Sequence, residues 1–429
     1  MHVIDFQITN IRSIRQLKWE IDEYDNQAGW HVIIGDNGSG KTTFLRSLAL
    51  ALVGPTEAAA LRQDWHTWLR SDSDTGAISI NFSYDKDFDK FSEKGKVVEN
   101  YYLFAGVRFS RDDEGVKVKA LLRGKTPPLR HLWGGKEGWF SVAYGPYRRF
   151  AGGDKDYEKL FYSNPKLAAH LSVFGENIAL SECIYWLQTL QFQRLEKQKE
   201  GNLVDKIFAF VNQPDFLPHN TKLHKISSQG VEFVDGNGCT VSVEDLSDGF
   251  RSILSMTFEI IRQLTRTFGG ERVFDESDYT TVVSPGIVLI DEIDAHLHPT
   301  WQQRIGPWFV KHFPNLQFIV TTHSPLICQS AKTIWRLPRP GTEEVGSMVT
   351  GQDLDRLRLG NILDAYGTDL FGDEVTRSDE SRQKLDRLAF LNFKEHSSGL
   401  TELEQIEQTN LRGSMPTTAS EIDLDAAQK

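Results

Sequence analysis

The sequence predicts an α/β fold: a mixed sheet with an antiparallel β lobe, a helical insertion lobe and a C-terminal helical extension. Two observations carry that expectation. A glycine-rich run, Gly35-Asp36-Asn37-Gly38-Ser39-Gly40-Lys41-Thr42, lies between an apolar strand, Trp30 to Ile34, and an amphipathic helix. Two short buried-type strands, Ile287 to Ile290 and Gln317 to Val320, flank a helix near Pro299 to Lys311, which is the strand, helix, strand order of a parallel sheet.

From the N-terminus, His2 to Thr9 alternates apolar and polar residues, so the chain up to Gly35 reads as two short strands. Between Lys41 and Val53 the residues Phe44, Leu45, Leu48 and Leu52 share one helix face, and Gly54-Pro55 stops the helix. Ala77 to Phe82, Tyr101 to Phe109, Val116 to Leu122 and Trp139 to Tyr144 read together as an antiparallel lobe. Helical periodicity follows through Leu180, Ile184, Leu187 and Leu190, then Leu203 to Val211. Strands return at Val231 to Val234 and Thr240 to Val243, joined by the hairpin signal Asp235-Gly236-Asn237-Gly238. Asp248 to Arg266 is a long amphipathic helix. Beyond Gly346 the chain is polar, with Leu385, Leu388, Leu400, Leu403 and Ile406 as packing positions, and Gly413 to Lys429 is expected to be disordered. The expected division is one head in two parts, 1–150 and 226–345, a helical lobe at 151–225 and an extension at 346–429.

With 429 residues and a net charge of -11, the chain is too long for one ordinary core and too acidic to coat nucleic acid by bulk charge. No apolar run approaches the ~18 residues of a bilayer span, and the N-terminal residues lack a secretory pattern, so no membrane association is expected. Cys183, Cys239 and Cys328 are scattered, which suits a reducing cytoplasm.

The glycine-rich run matches the phosphate-loop pattern in its required setting, after a strand and before a helix. Gly35, Gly38 and Gly40 let backbone N–H groups converge on phosphate oxygens, with Asn37, Ser39 and Thr43 beside them. Lys41 reaches the β and γ phosphates of ATP, and Thr42 offers a hydroxyl to Mg²⁺. The run Ile287 to Ile290 ends in Asp291 and Glu292, one carboxylate to hold Mg²⁺ and one to orient and deprotonate the attacking water. Two further runs follow the same logic. Leu246-Ser247-Asp248-Gly249 opens a helix with Ser247 at its N-cap, and Ile319-Val320-Thr321-Thr322-His323-Ser324-Pro325 ends a strand in a histidine.

In the order of these four motifs the sequence resembles the ABC-type ATPase superfamily, in its soluble branch with SMC, RecF and the overcoming-lysogenisation-defect ATPases. The resemblance implies a P-loop NTPase of ABC-ATPase type whose cofactors are ATP and Mg²⁺. Carried over by motif position, Ser247, Asp248 and Gly249 would contact nucleotide held by a partner copy, His323 would be the switch histidine, and Asp294 would take the D-loop position. The long separation of Lys41 from Ser247 differs from the compact layout of a transporter subunit, and no sustained heptad supports a coiled-coil arm. The segment Val142-Ala143-Tyr144-Gly145-Pro146-Tyr147-Arg148-Arg149 resembles the Tyr-Gly-Pro-x-Arg element of bacterial defence ATPases, and places Arg148 or Arg149 near nucleotide or partner, or at a surface corner.

Over about residues 1 to 345 the sequence resembles in particular the ATPase subunit of Septu anti-phage systems, also found with some retrons. That resemblance implies a homodimer or higher homo-oligomer, a separate HNH-type nuclease partner and DNA contact in the assembled complex. Asp353-Leu354-Asp355 has a carboxylate spacing but lies in a polar, helical stretch, so no intrinsic nuclease is expected. Two readings stay open beside it: a RecF- or SMC-like repair ATPase that clamps DNA, and a nucleotide-gated scaffold with negligible turnover.

Overall fold

A computed structural model describes residues 1–21, 27–92, 102–123, 126–135, 137–148, 163–175, 182–214, 216–342, 344–361, 365–366, 370–371 and 378–414. The chain divides into two compact units, Met1–Ala365 and Tyr366–Lys429. The strands are β1 (His2–Ile11), β2 (Ile14–Glu20), β3 (Gly29–Ile34), β4 (Thr75–Ser83), β5 (Leu103–Asp112), β6 (Gly115–Ala120), β7 (Ser141–Tyr144), β8 (Lys222–Ser227), β9 (Gly230–Val234), β10 (Thr240–Ser242), β11 (Gly286–Ile290), β12 (Leu316–Thr321), β13 (Thr333–Arg336) and β14 (Ser347–Met348). The longer helices are α1 (Lys41–Val53), α2 (Glu182–Leu195), α3 (Leu203–Val211), α4 (Asp248–Phe268), α5 (Pro299–His312) and α6 (Gly351–Leu359), with α7 (Asp379–Ser397) and α8 (Glu402–Ser414) in the second unit.

The central sheet has the order β14-β13-β3-β12-β11-β7 and is parallel except at β14. Every residue of β3, β7, β11 and β12 is buried, as strands covered on both faces require. Here the structure corrects the sequence reading, which put Trp139 to Tyr144 in the antiparallel lobe. Ser141–Tyr144 instead pairs parallel with β11, Tyr144 beside Ile290, because a strand buried on both faces belongs inside a covered sheet. The fold is α/β with a mixed sheet, as expected.

The antiparallel lobe is a five-stranded sheet, β2-β1-β4-β5-β6. It takes in β2, so three strands rather than two precede the glycine-rich run. In β4 the alternation is clean, with Ile78, Ile80 and Phe82 facing the core. Helix α1 packs on both sheets, touching β1, β4 and β5 of one and β7, β11 and β12 of the other. That position explains why Ala49, Leu50, Ala51 and Val53 are buried along with the predicted face. Phe44 meets the Phe6 ring edge-on at 4.9 Å, and its removal to Ala would cost about 3–5 kcal/mol.

A smaller sheet, β10-β9-β8, holds the expected hairpin and one strand, β8, that the sequence reading passed over. In the helical lobe α2 and α3 fall where the periodicity places them, while Leu180 lies outside the described residues. Phe210 of α3 and Phe216 pack on Trp308 of α5, with Phe216 stacked at 4.1 Å. The first unit runs past 345 to Ala365, because β14 pairs with β13 and Arg358 of α6 donates to the Lys332 carbonyl at 2.8 Å.

In the second unit α7 and α8 meet through polar groups, Arg387 on Glu407 at 2.9 and 2.8 Å and Gln408 on Asn392 at 3.0 Å. Leu391 is buried, but Leu403 and Ile406 are exposed rather than packed, because α8 turns its Glu404, Glu407 and Gln408 side toward α7. Gly413 and Ser414 close α8, and residues 415–429 lie outside the described residues. Among the described residues no helix is long and apolar enough to cross a membrane.

Candidate functional site

Parallel register sets Ile34, Tyr144, Ile290 and Thr321 at one edge of the central sheet, so the segments that leave these strands meet there. Such an edge is where open α/β sheets bind ligands. Gly35 leaves β3, Asn37 and Gly38 form an exposed tip, and Ser39 is buried with a hydroxyl that has no hydrogen-bond partner among the described residues. Gly40 caps α1 at φ +100°, a left-handed conformation that a side chain adopts only under strain. Thr43 is buried behind it.

Lys41, the first residue of α1, folds back across the loop and donates to the carbonyls of Gly35 at 2.6 Å and Asp36 at 2.9 Å. Burial lowers its pKa, opposed by the charges of Asp291, Glu292, Asp36 and Asp294. The Thr42 hydroxyl donates to Asp291 Oδ2 at 2.8 Å, and Thr321 donates to Asp291 Oδ1 at 2.6 Å, so the buried carboxylate is fixed from both sides. Glu292 follows at φ +46°, and its backbone N–H donates to Thr321 Oγ1 at 2.8 Å. Its carboxylate makes no hydrogen bond or ion pair among the described residues.

Asp294 Oδ1 accepts from the Thr322 hydroxyl at 2.6 Å. His323 is exposed at the rim. Partial shielding by the protein and then the charge of Lys41 hold its imidazole below the ordinary histidine pKa, against the pull of Asp294, Glu292 and Asp291. His298 caps α5, accepting from Thr300 N at 3.4 Å.

The Ser247, Asp248, Gly249 element stands apart from the loop. Ser247 is the exposed N-cap of α4 and makes no side-chain cap bond, and Asp248 pairs with Arg251. A Cβ on Gly249 would stand 2.9 Å from the His296 carbonyl oxygen, so the helix start abuts the segment after Asp294 in its own chain. Among the described residues no hydrogen bond or ion pair joins 247–249 to 35–43.

The donor set suits a nucleoside triphosphate with Mg²⁺. A buried cation, a helix N-terminus and left-handed glycine backbone match phosphate oxygens, and the Thr42 hydroxyl beside the Asp291 carboxylate supplies two hard oxygens. Among the described residues there is no group of three or more His, Cys, Asp or Glu that could hold a metal ion.

Sequence reasoning gave no role to Thr321 or Thr322, although both stood in the quoted run. Their signal was a hydroxyl pair at the end of a largely apolar strand, which must find partners when buried. Arg148 is neither a surface residue nor directed at nucleotide: it is buried and turned inward. Arg149 lies outside the described residues.

A family profile described as "AAA domain" matches residues 6–237, more than half of the chain. A second AAA-domain profile, whose description also names an AbiEii toxin of a type IV toxin–antitoxin system, matches 155–329. Among curated proteins, the "Retron Ec83 probable ATPase" of Escherichia coli is 43% identical over 126 residues, 28% of this chain and 22% of that protein. The "Septu protein PtuA" of Bacillus mycoides is 27% identical over 325 residues, 75% of this chain and 38% of that protein. The matched stretches thus span well under half the length of these relatives. A crystal structure of an SMC head bound to the C-winged helix domain of ScpA overlaps 81% of this chain and 97% of its own, with 14% identity and a TM-score of 0.46, so the fold reading rests on the topology above.

Proposed function

The chain belongs to the AAA-domain family, and on that premise we propose that it binds ATP with Mg²⁺ and hydrolyses it, as the regulatory ATPase of an anti-phage defence complex. The observation that carries this reading is the cluster at the sheet edge: Lys41 on the loop, Thr42 bonded to Asp291 at 2.8 Å, and an unpaired Glu292 next to it. Lys41 and the backbone N–H groups of 35–43 bind the phosphates. Mg²⁺ held by Thr42 and Asp291 would neutralise charge between the β and γ phosphates. Glu292, whose carboxylate has no partner among the described residues, orients the attacking water and takes its proton. His323, neutral because its pKa is held down, donates to or accepts from the γ-phosphate region.

In this reading Ser247, Asp248 and Gly249 serve a second copy. The exposure of Ser247 and Asp248 at the start of α4, apart from the loop of their own chain, supports a head-to-tail dimer in which each copy covers the other's nucleotide. The likeness to Septu and retron ATPases supports a defence role, with a separate HNH-type nuclease as the regulated partner.

Phosphate release and fluorescent ATP-analogue binding test the core of the proposal. Lys41→Ala loses binding. Glu292→Gln keeps binding and loses turnover by about 10²–10⁴-fold, while the ATP-bound dimer accumulates on size exclusion. Wild-type affinity in the Lys41 variant would show that the site is misassigned.

A further inference from the structure

We propose that Arg148 is a positioning residue that clamps the backbone around Glu292 and ties it to the N-terminal part of α4. The inference rests on the ATPase reading above and deepens it.

Arg148 is 5% exposed, and its contacts use the whole guanidinium fork. Nη1 donates to the carbonyls of Gly145 at 3.0 Å and Asp291 at 2.9 Å. Nη2 donates to the carbonyl of Glu292 at 3.1 Å and reaches that of Ile293 at 3.5 Å. Nε donates to Ser252 Oγ at 2.9 Å. Its partners are carbonyls and one hydroxyl. Burial lowers its pKa to about 10, with Asp291, Asp294 and Glu292 opposing, so it stays a cation at neutral pH. With its N–H groups turned to internal acceptors, it has none to offer nucleotide or a partner chain.

The geometry gives the clamp a purpose. Glu292 holds φ +46°, a conformation that costs a non-glycine residue about 1–3 kcal/mol and persists only where its surroundings impose it. The carbonyls of Asp291 and Glu292 belong to the two peptide planes on either side of the Glu292 Cα. One rigid, planar guanidinium grips both, so it fixes the torsions between them and hence the direction of the Glu292 side chain. Thr321 fixes the same turn from the other side through the Glu292 N–H.

Ser252 opens the second turn of α4, five positions after Ser247. The Arg148 fork therefore makes one rigid body of the catalytic carboxylate's backbone and the helix start that faces a partner's nucleotide. A displacement of α4 on pairing would carry to Glu292 through this side chain. Lys cannot substitute, because a point-like ammonium does not bridge two peptide planes and a hydroxyl at once.

The test uses the full chain as Arg148→Lys and Ser252→Ala, with phosphate release for kcat and KM, ATP-analogue binding for Kd, and thermal melting as a folding control. Expected for Arg148→Lys is a kcat lower by about 10²-fold, with Kd and KM within about threefold of wild type. Ser252→Ala, which severs only the helix link, lowers kcat by about 3–10-fold with binding intact, and remains informative if the Arg148 variant is unstable. Wild-type kcat in both variants overturns the inference while leaving the ATPase reading in place, provided Glu292→Gln remains inactive. A parallel loss of binding and turnover in well-folded variants also overturns it, since Arg148 would then serve nucleotide binding. No phosphate release by the wild-type protein overturns the ATPase reading and this inference with it.

Discussion

Thr321→Val isolates the buried hydroxyl that organises the carboxylate edge. Valine keeps the β-branched shape that suits the end of β12, so packing changes little. Two hydrogen bonds disappear: the one donated to Asp291 Oδ1 at 2.6 Å and the one accepted from the Glu292 N–H at 2.8 Å. Thr321 and Asp291 are 0% and 1% exposed, so water does not replace the lost partner without rearrangement. A hydrogen bond to a charged group is worth about 1.5–3 kcal/mol and a stranded N–H at this part-buried turn costs about 1–3 kcal/mol, so the loss is about 2.5–6 kcal/mol. At about 2.1 cal/mol/K per residue over the unit Met1–Ala365, that loss lowers Tm by about 3–8 °C. Thermal melting without nucleotide measures it. Thr257→Val is the matched control: its hydroxyl is buried in α4 with no partner among the described residues, so its removal is neutral or raises Tm. Equal melting of Thr321→Val and wild type would refute the view that Thr321 braces this turn.

Two further predictions concern the frame around the site. His131 and His170 are fully buried, and burial pushes each imidazole from 6.5 down to about 4. Between these values the unfolded chain binds more protons than the folded one, so their stabilising effect is whole above about pH 6.5 and falls by about 3 kcal/mol per histidine toward pH 4. Urea unfolding across that window should lose about two protons of slope in the His131→Gln, His170→Gln double variant, and an unchanged slope would contradict the assignment. Gly54, at φ +91° and ψ 161°, leaves no room for a side chain, since a Cβ would stand 2.8 Å from the Trp133 ring. Gly54→Ala should cost about 3–5 kcal/mol and shift Trp133 fluorescence, while wild-type melting would show that the loop yields freely.

The parts of the fold legible in the sequence are those that chemistry forces to be contiguous. A phosphate loop needs its glycines, Lys41 and Thr42 in one short run between strand and helix, and the strand bearing Asp291 and Glu292 needs an unbroken apolar run. Sheet membership is different in kind. Tyr144 pairs with Ile290 across a long stretch of chain, and a four-residue strand carries no local mark of parallel or antiparallel neighbours. Arg148 was misplaced for a related reason. An arginine beside Gly and Pro reads as a surface corner until the carbonyls of 291–293 arrive from elsewhere in the chain to receive it. The polar seam between α7 and α8 inverted a hydrophobic expectation at Leu403 and Ile406, because charged pairs rather than leucines face the partner helix.

The position of β3 has a consequence for how the molecule is made. Its neighbours in the central sheet are β12 and β13, so a strand complete at Ile34 waits for Arg336 before both of its edges are paired. At about 5–20 residues per second, a ribosome takes about 15–60 s to bridge that interval. For most of that time, until Asp291 and Glu292 are made, the loop after β3 has no carboxylate to face, and an apolar strand destined for complete burial lacks its neighbours. The carboxylate edge therefore takes its place beside the loop late, and a chain interrupted anywhere before β12 is released without that edge.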